Sequence, residues 1–290
     1  MAKEESSVEI KDFIVDTAVN AKMGWEDTIL MPVGDIQLGA QGCDEDRFKR
    51  HMEWGMKHNA YFLGMGDYVD VASPSNRHII RTAKLYDSVQ DVLTEGAARA
   101  AERFLALTAG SEGRWLGLLQ GHHYYEFPDG TTSDTVIAAH LKAPFLGDCA
   151  FVRLHFRRGA GVTTATIWCH HGEGYGRGAG APLTKLQTIM PFFDADIYLM
   201  GHMHKVVGAP LDQLYMTRSD PPHLRYRTKI VAGTGSFLRG HMEGSSNGRR
   251  ATGSYVEKGM LPPVSLGGVV ITIKPVHTNA EDHLDMRISL

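Results

Sequence analysis

A chain of 290 residues, 43% hydrophobic and 22% charged, has the composition of a globular protein and can bury a sizeable core. Its formal charge of -3 excludes a general basic field for holding nucleic acid, although not a local basic cleft. No run reaches the ~18 apolar residues of a membrane span, so no membrane partner is expected.

The amino-terminal MAKEESSVEIKDF lacks the apolar stretch of a signal peptide. Cys43, Cys149 and Cys169 are too scattered for a disulfide framework or a zinc finger. A cytoplasmic protein is expected. No repeat or linker divides the chain, and one domain over 1–290 follows as the expectation.

In chain order, DTILMPVGD (27–35) reads as a buried strand ending at Gly34-Asp35. Residues 44–59 read as a helix, because Phe48, Met52 and Met56 recur every four residues behind an acidic start. AYFLGMGD (60–67) is a second strand ending in Gly-Asp, and one helical region is predicted across roughly 79–107. RWLGLLQGHH (114–123) is a third strand, and 132–143 is a helix with a Thr/Ser/Asp start. CAFVRLHFRR and TTATIWCHHG pair as antiparallel strands around GAG. A helix over 181–193 follows, then strands over 195–204, 227–237, 267–275 and 283–290. Alternating strands and helices followed by further strands predict an α/β fold with mixed sheets.

Several of these strands stop at Gly-Asp or Gly-His, and ligands of open α/β sheets bind beyond the carboxyl ends of strands. The residues so placed are Asp35 and Gln37, Asp67 and Asp70, His122 and His123, His170 and His171, and His202 and His204. Carboxylates mixed with imidazoles suit zinc, manganese, iron or nickel. The set is too large for one four-coordinate ion and about right for two, the arrangement that clamps both oxygens of an in-line phosphoryl displacement.

GDIQ, GDYVD, GHH, HHG and GHMH, in this order between residues 35 and 204, resemble the five blocks of the calcineurin-like metallophosphoesterases: D-x-H, G-D-x-x-D/N, G-N-H-D/E, H-G and G-H-x-H. The longer FLGMGDYVD, GTTSDTVIA and GTGSFLRG resemble small members from bacteriophage genomes. The resemblance implies two facing mixed β-sheets flanked by helices, a four-layer α/β/β/α sandwich. It implies two divalent cations, manganese first, with zinc, iron, nickel or magnesium as alternatives. Asp35, Gln37, Asp67 and His204 would hold the first metal. Asp67 would bridge to a second held also by His122, His171 and His202. A bridging hydroxide would attack phosphorus, and His123 would serve as general acid or phosphate contact.

Two positions depart from the family pattern. Gln37 stands for a histidine and His122 for an asparagine. An amide oxygen is a weaker, harder ligand than imidazole. The expectation is a first site favouring manganese or magnesium and exchanging readily, beside a second holding zinc, iron or manganese. Asp70 and Glu126 read as supporting carboxylates, and His170 yields to His171 as the ligand.

GEGYGRGAGA (172–181) approaches a dinucleotide fingerprint, but reads better as a glycine-rich rim whose Arg177 contacts substrate phosphate. GTGSFLRGHMEGSSNGRR (233–250) carries Arg239, Arg249 and Arg250, which also suit phosphate. Cys169, on an apolar strand, reads as an inert buried thiol. The expected function is metal-dependent hydrolysis of a phosphate ester, a diester preferred, by a phosphodiesterase or phosphatase. A nucleotide or nucleic acid is one substrate class. A nuclease acting on DNA or RNA, and a catalytically weakened metal-binding scaffold, are the alternatives.

Overall fold

The computed structural model describes residues 8–12, 17–83, 85–174, 176–244, 246–247, 250–251, 255–278 and 282–290. Strands β1 (Val8–Asp12), β2 (Thr17–Met23) and β3 (Thr28–Val33) lead into helix α1 (Glu45–Lys57). Strand β4 (Tyr61–Gly64) is followed by α2 (Pro74–Thr82) and α3 (Asp87–Leu107), and β5 (Trp115–Leu119) by α4 (Ser133–His140) and β6 (Phe145–Gly147). Next come β7 (Cys149–Arg158), β8 (Gly161–His170), α5 (Ala181–Ile189), β9 (Ile197–Met200), β10 (Val206–Met216) and β11 (Leu224–Ser236). The chain closes with β12 (Ser246–Asn247), β13 (Arg250–Ala251), α6 (Tyr255–Lys258), β14 (Gly267–Gly268), β15 (Val270–His277) and β16 (Asp282–Ser289).

Two mixed sheets result among the described residues. One has the order β16-β15-β3-β4-β5-β6, and the other β1-β2-β7-β8-β9-β11-β10, with β14 also pairing β11. The alternation of side chains along a strand, shifted by one residue in β5 where the register with β4 is irregular, explains the layers. Leu30 of β3 and Leu116 and Leu119 of β5 join the core shared by the two sheets, with Val152, Leu154, Ile167 and Ile230 from the other sheet. Met31, Val33, Trp115 and Leu118, on the opposite face, pack with Phe48 and Met52 of α1 and Phe104 of α3. On the far side of the second sheet, Leu186 of α5 packs against Trp168 and Tyr198. The fold is therefore α/β, two facing mixed sheets flanked by helices.

Local chemistry sets the helix starts. Asp44 caps α1 by accepting the Arg47 N–H at 3.0 Å, and Thr132 and Thr135 close a capping box on α4. Two expectations change. The single helix over 79–107 is two: Ala83 and Tyr86 are extended, and α2 already starts at Pro74 behind the Ser73 cap. No residue of α2 is buried, whereas α3 buries Ala97, Ala101 and Phe104, so packing holds only the second segment to the core. Strand β10 has no predicted counterpart. Gly208 and Pro210 interrupt its apolar pattern, yet it pairs β11 from Val206–Thr234 to Met216–Leu224, at a sheet edge where proline is tolerated.

Strands β3, β4 and β5 run parallel, as do β8, β9 and β11. The loops that follow them converge on the candidate site.

Candidate metal centre

Five of the candidate residues sit in left-handed backbone: Asp35 (φ 50°), Gln37 (55°), Asp67 (53°), His202 (64°) and His204 (55°). Such conformations cost about 1–3 kcal/mol each and persist where surrounding structure over-determines them. Here the loops lock one another. Asp35 N–H donates to Gly66 O at 3.0 Å and Gln37 N–H to Asp67 O at 3.0 Å, while Asp35 O accepts from Phe237 N–H at 3.0 Å and Ser236 Oγ at 2.8 Å. Glycine is required at the closest approaches: a Cβ on Gly121 would meet Asp67 N at 2.0 Å, and one on Gly66 would meet His171 Nδ1 at 2.5 Å.

Asp35, Gln37, Asp67 and His171 are buried. Asp67 Oδ1 accepts the His122 and His123 N–H groups at 2.5 and 3.0 Å. Its Oδ2 accepts from Gln37 Nε2 at 2.8 Å and lies 3.5 Å from His171 Nε2. Asp35 Oδ2 accepts the His202 N–H at 2.8 Å, and Oδ1 lies 3.4 Å from His204 Nε2. His171 Nδ1 donates to Met65 O at 2.6 Å, which fixes the ring and makes Nε2 the ligand atom, available once its proton is displaced. Among the described residues, five buried side-chain atoms lack a hydrogen-bond partner, and three of them are here: Asp35 Oδ1, Gln37 Oε1 and His171 Nε2. An unsatisfied buried group costs about 1–3 kcal/mol, and all three are metal-ligand atoms.

Two further imidazoles, His122 and His202, adjoin this cluster. The His122 ring centroid is 4.6 Å from that of His171 and 4.7 Å from that of His202, and His122 Nδ1 is 3.2 Å from His202 Nδ1. Two groups therefore have ligand atoms within 4.8 Å of one another: His122, His171 and His202, and Asp35, Asp67 and His171. The residue common to both is His171, while Asp67, the expected bridge, lies with Asp35.

The two groups respond differently to burial. Desolvation lifts Asp35 to about 8. Burial would also raise Asp67, but His171 and the neighbouring donors hold it well below the usual carboxylate range. Burial would lower His171, but Asp67 and Asp35 lift it to about 9. Desolvation pushes His202 down to about 3, aided by His171 and His122, and His204 down to about 4. His122 is lowered by the same cause. The donor set of carboxyl and amide oxygens and imidazoles, with three unpartnered ligand atoms, fits divalent cations.

Beside this cluster, His123 Nδ1 is 2.7 Å from Asp70 Oδ1. Burial would lower His123, but the Asp70 hydrogen bond and the Asp67 charge raise it. Two supporting residues were not singled out from sequence. Arg77 Nη1 donates to the carbonyls of Ala72, His122 and Tyr124 at 2.7, 2.5 and 3.3 Å. Its guanidinium lies 3.7 Å from the Tyr124 ring centroid. Buried Asp134 accepts the Gly121 N–H at 2.9 Å. The Thr-Ser-Asp start of α4 signals a cap, but nothing in the sequence signals Arg77, whose partners are backbone carbonyls.

His123, His202 and His204 line a cavity of about 500 Å³ whose rim includes Gly174, Gly176 and Arg177. Arg177, one of the two expected substrate contacts, is among the lining residues. Arg239, the other, is not among them, and its guanidinium lies 3.3 Å from Asp44, the residue that caps α1. Arg249 and the Arg250 side chain lie outside the described residues. The glycine-rich rim directs carbonyls at lysines. Lys205 Nζ donates to Gly176 O and Gly178 O, and Lys185 Nζ to Glu173 O. A dinucleotide loop directs N–H groups at phosphate, so that resemblance carries no weight. His170 Nδ1 accepts from Gly172 N–H at 2.7 Å, Glu126 lies 3.5 Å from Arg81, and Cys169 is buried. Among the described residues, no helix is long and apolar enough to cross a membrane.

No protein-family model matches the chain, and no curated protein does. Solved structures similar to it include Vacuolar Protein Sorting 29 from Cryptosporidium parvum, with 13% identity, 91% of this chain and 98% of that chain covered, and a TM-score of 0.36. They also include a protein described as a 5'-nucleotidase from Staphylococcus aureus in complex with alpha-ketoglutarate, with 10% identity, 90% and 53% covered, and a TM-score of 0.40.

Proposed function

We propose that the chain is a metal-dependent phosphoesterase of the calcineurin-like kind that hydrolyses a phosphate ester, a diester preferred. The observation that carries this reading is the buried contact of Asp35, Asp67 and His171. Unpartnered ligand atoms sit there, next to a cavity lined by His123, His202 and His204. Asp35, Gln37, Asp67 and His204 would hold one cation, and His122, His171 and His202 the other. Divalent cations, when bound, polarise a phosphoryl oxygen and lower the pKa of water.

The remaining roles belong to the chain itself. Asp70 accepts from His123 Nδ1 and, with Asp67, raises the ring's pKa, so the doubly protonated imidazolium carries at Nε2 the proton that the leaving oxygen takes as its bond to phosphorus breaks. Arg177, on the cavity rim, balances phosphate charge. Arg77 and Asp134 position the GHH loop from behind.

Manganese-loaded protein is expected to hydrolyse bis-p-nitrophenyl phosphate, whereas a metal-binding scaffold would bind manganese and leave this ester intact. Full activity of His123→Ala on a diester with a poor leaving group would remove His123 from its role. Gln37 and His122 make the two sites unequal, with manganese or magnesium exchanging readily at the first and zinc, iron or manganese held at the second. Metal analysis after chelator-free purification tests this, and two equally tight metals per chain would refute it.

A further inference from the structure

The cavity beside the metal centre has two unlike sides. One carries His123, His202 and His204. The other is apolar: Leu238, Val256, Leu261, Pro262 and Val264, joined by Met203. This wall is held in place. Leu261 N–H donates to Val256 O at 3.0 Å, and His241 Nε2 is 3.0 Å from Leu261 O. Gly240 allows the close packing, since a Cβ there would meet Val256 Cγ1 at 2.5 Å. Leu238 and Val256 are only 4% and 8% exposed.

Among the described residues, charge is sparse around this cavity. Its described lining includes no carboxylate, and its cations are Arg177 and Lys205. The Lys205 ammonium is occupied by the carbonyls of Gly176 and Gly178, which leaves Arg177. A strand of nucleic acid is held by a succession of Lys/Arg–phosphate contacts along an open groove. A cavity of about 500 Å³ with one such cation falls instead in the ~300–1,000 Å³ range of small-molecule pockets.

We infer that the substrate is a compact phosphoester with an apolar organic group, seated against the Leu238–Val264 wall with its phosphate toward His123, and not a polynucleotide. This inference rests on the phosphoesterase reading and narrows its substrate. Cyclohexyl and methyl p-nitrophenyl phosphate share a leaving group and differ only in the apolar substituent. With the manganese-loaded full chain, kcat/KM is expected to be about 10-fold higher for the cyclohexyl ester. In Leu261→Ser or Val264→Ser that ratio falls to about 2. Calorimetry on the unsubstituted protein gives an activity-independent reading, with cyclohexylphosphonate binding about 10-fold more tightly than methylphosphonate.

Equal kcat/KM for the two esters, equal phosphonate affinities, or faster turnover of a single-stranded oligonucleotide would overturn the inference. Turnover of both esters without preference overturns it and leaves the phosphoesterase reading standing. Tighter cyclohexylphosphonate binding without turnover of either ester does the reverse.

Discussion

Asp35, Asp67 and His171 meet in the interior and cannot all keep their charges there, so two of them retain protons, Asp35 up to about 8 and His171 up to about 9. His122 and His202, packed against the same cluster, are driven the other way and stay neutral, His202 down to about 3. Burial penalises charge in both regions: it raises Asp35 and lowers His122 and His202, with His171 and His122 adding to the fall at His202. Only at His171 do facing carboxylates outweigh burial and hold a proton. The carboxylate region must therefore exchange protons for a cation, whereas the imidazole region already presents neutral lone pairs.

The strongest way to break this comparison is Asp67→Asn. Removing the charge that His171 and the backbone N–H groups face is expected to lower bis-p-nitrophenyl phosphate hydrolysis about 10³-fold and to reduce the manganese bound per chain. Unchanged metal content, read by elemental analysis, would count against the carboxylate region as the principal holder.

Asp70→Asn lies outside both regions and sharpens the boundary. It is expected to slow hydrolysis of a diester with a poor leaving group about 10²-fold, with metal content unchanged. Asp70 contributes to raising His123, so the basic limb of the pH profile should move to lower pH. A loss accompanied by depleted metal would instead place Asp70 among the holders.

The protons themselves can be counted. Because Asp35 and His171 are both raised, each holds a proton at pH 7 that a cation must displace. Metal affinity should therefore climb with pH, by about tenfold per unit for each proton displaced, and level off above about 9. Calorimetry in buffers of different ionisation enthalpy measures the release; an affinity flat from pH 6 to 9 would break the comparison.

His122→Asn addresses the imidazole region alone. It should weaken the second cation about 10-fold and leave proton release at the carboxylate region unchanged. Equal weakening of both cations would mean that the two regions act as one.

Much of the fold was legible. Apolar runs marked β3, β4, β5 and β9, because strands buried on both faces read as continuous hydrophobic stretches, and the GAG turn marked the β7–β8 hairpin. The break between α2 and α3 was not legible, since neither glycine nor proline separates them and packing decides it. Nor was β10, whose order comes from its partner β11. At the site, glycine-flanked aspartates and histidines stood out by type and place. Arg77 did not, because its partners are carbonyls, which every residue has, and neither did the Arg239–Asp44 pair, whose members lie 195 residues apart in sequence.

The amino-acid sequence by itself determined which ligand-type side chains exist, their order, and their position just past buried strands, because hydrophobic period and glycine placement are local properties. Only the tertiary structure decided which ligand atoms remain unpartnered. Asp67 spends Oδ1 on the His122 and His123 N–H groups, and His171 spends Nδ1 on Met65 O, leaving Nε2. Those partners lie 55 to 106 residues apart in sequence. A backbone group that satisfies a side chain across such a distance leaves no trace in composition or period; it exists only once β4 and β5 have paired and the two sheets have closed on their common core.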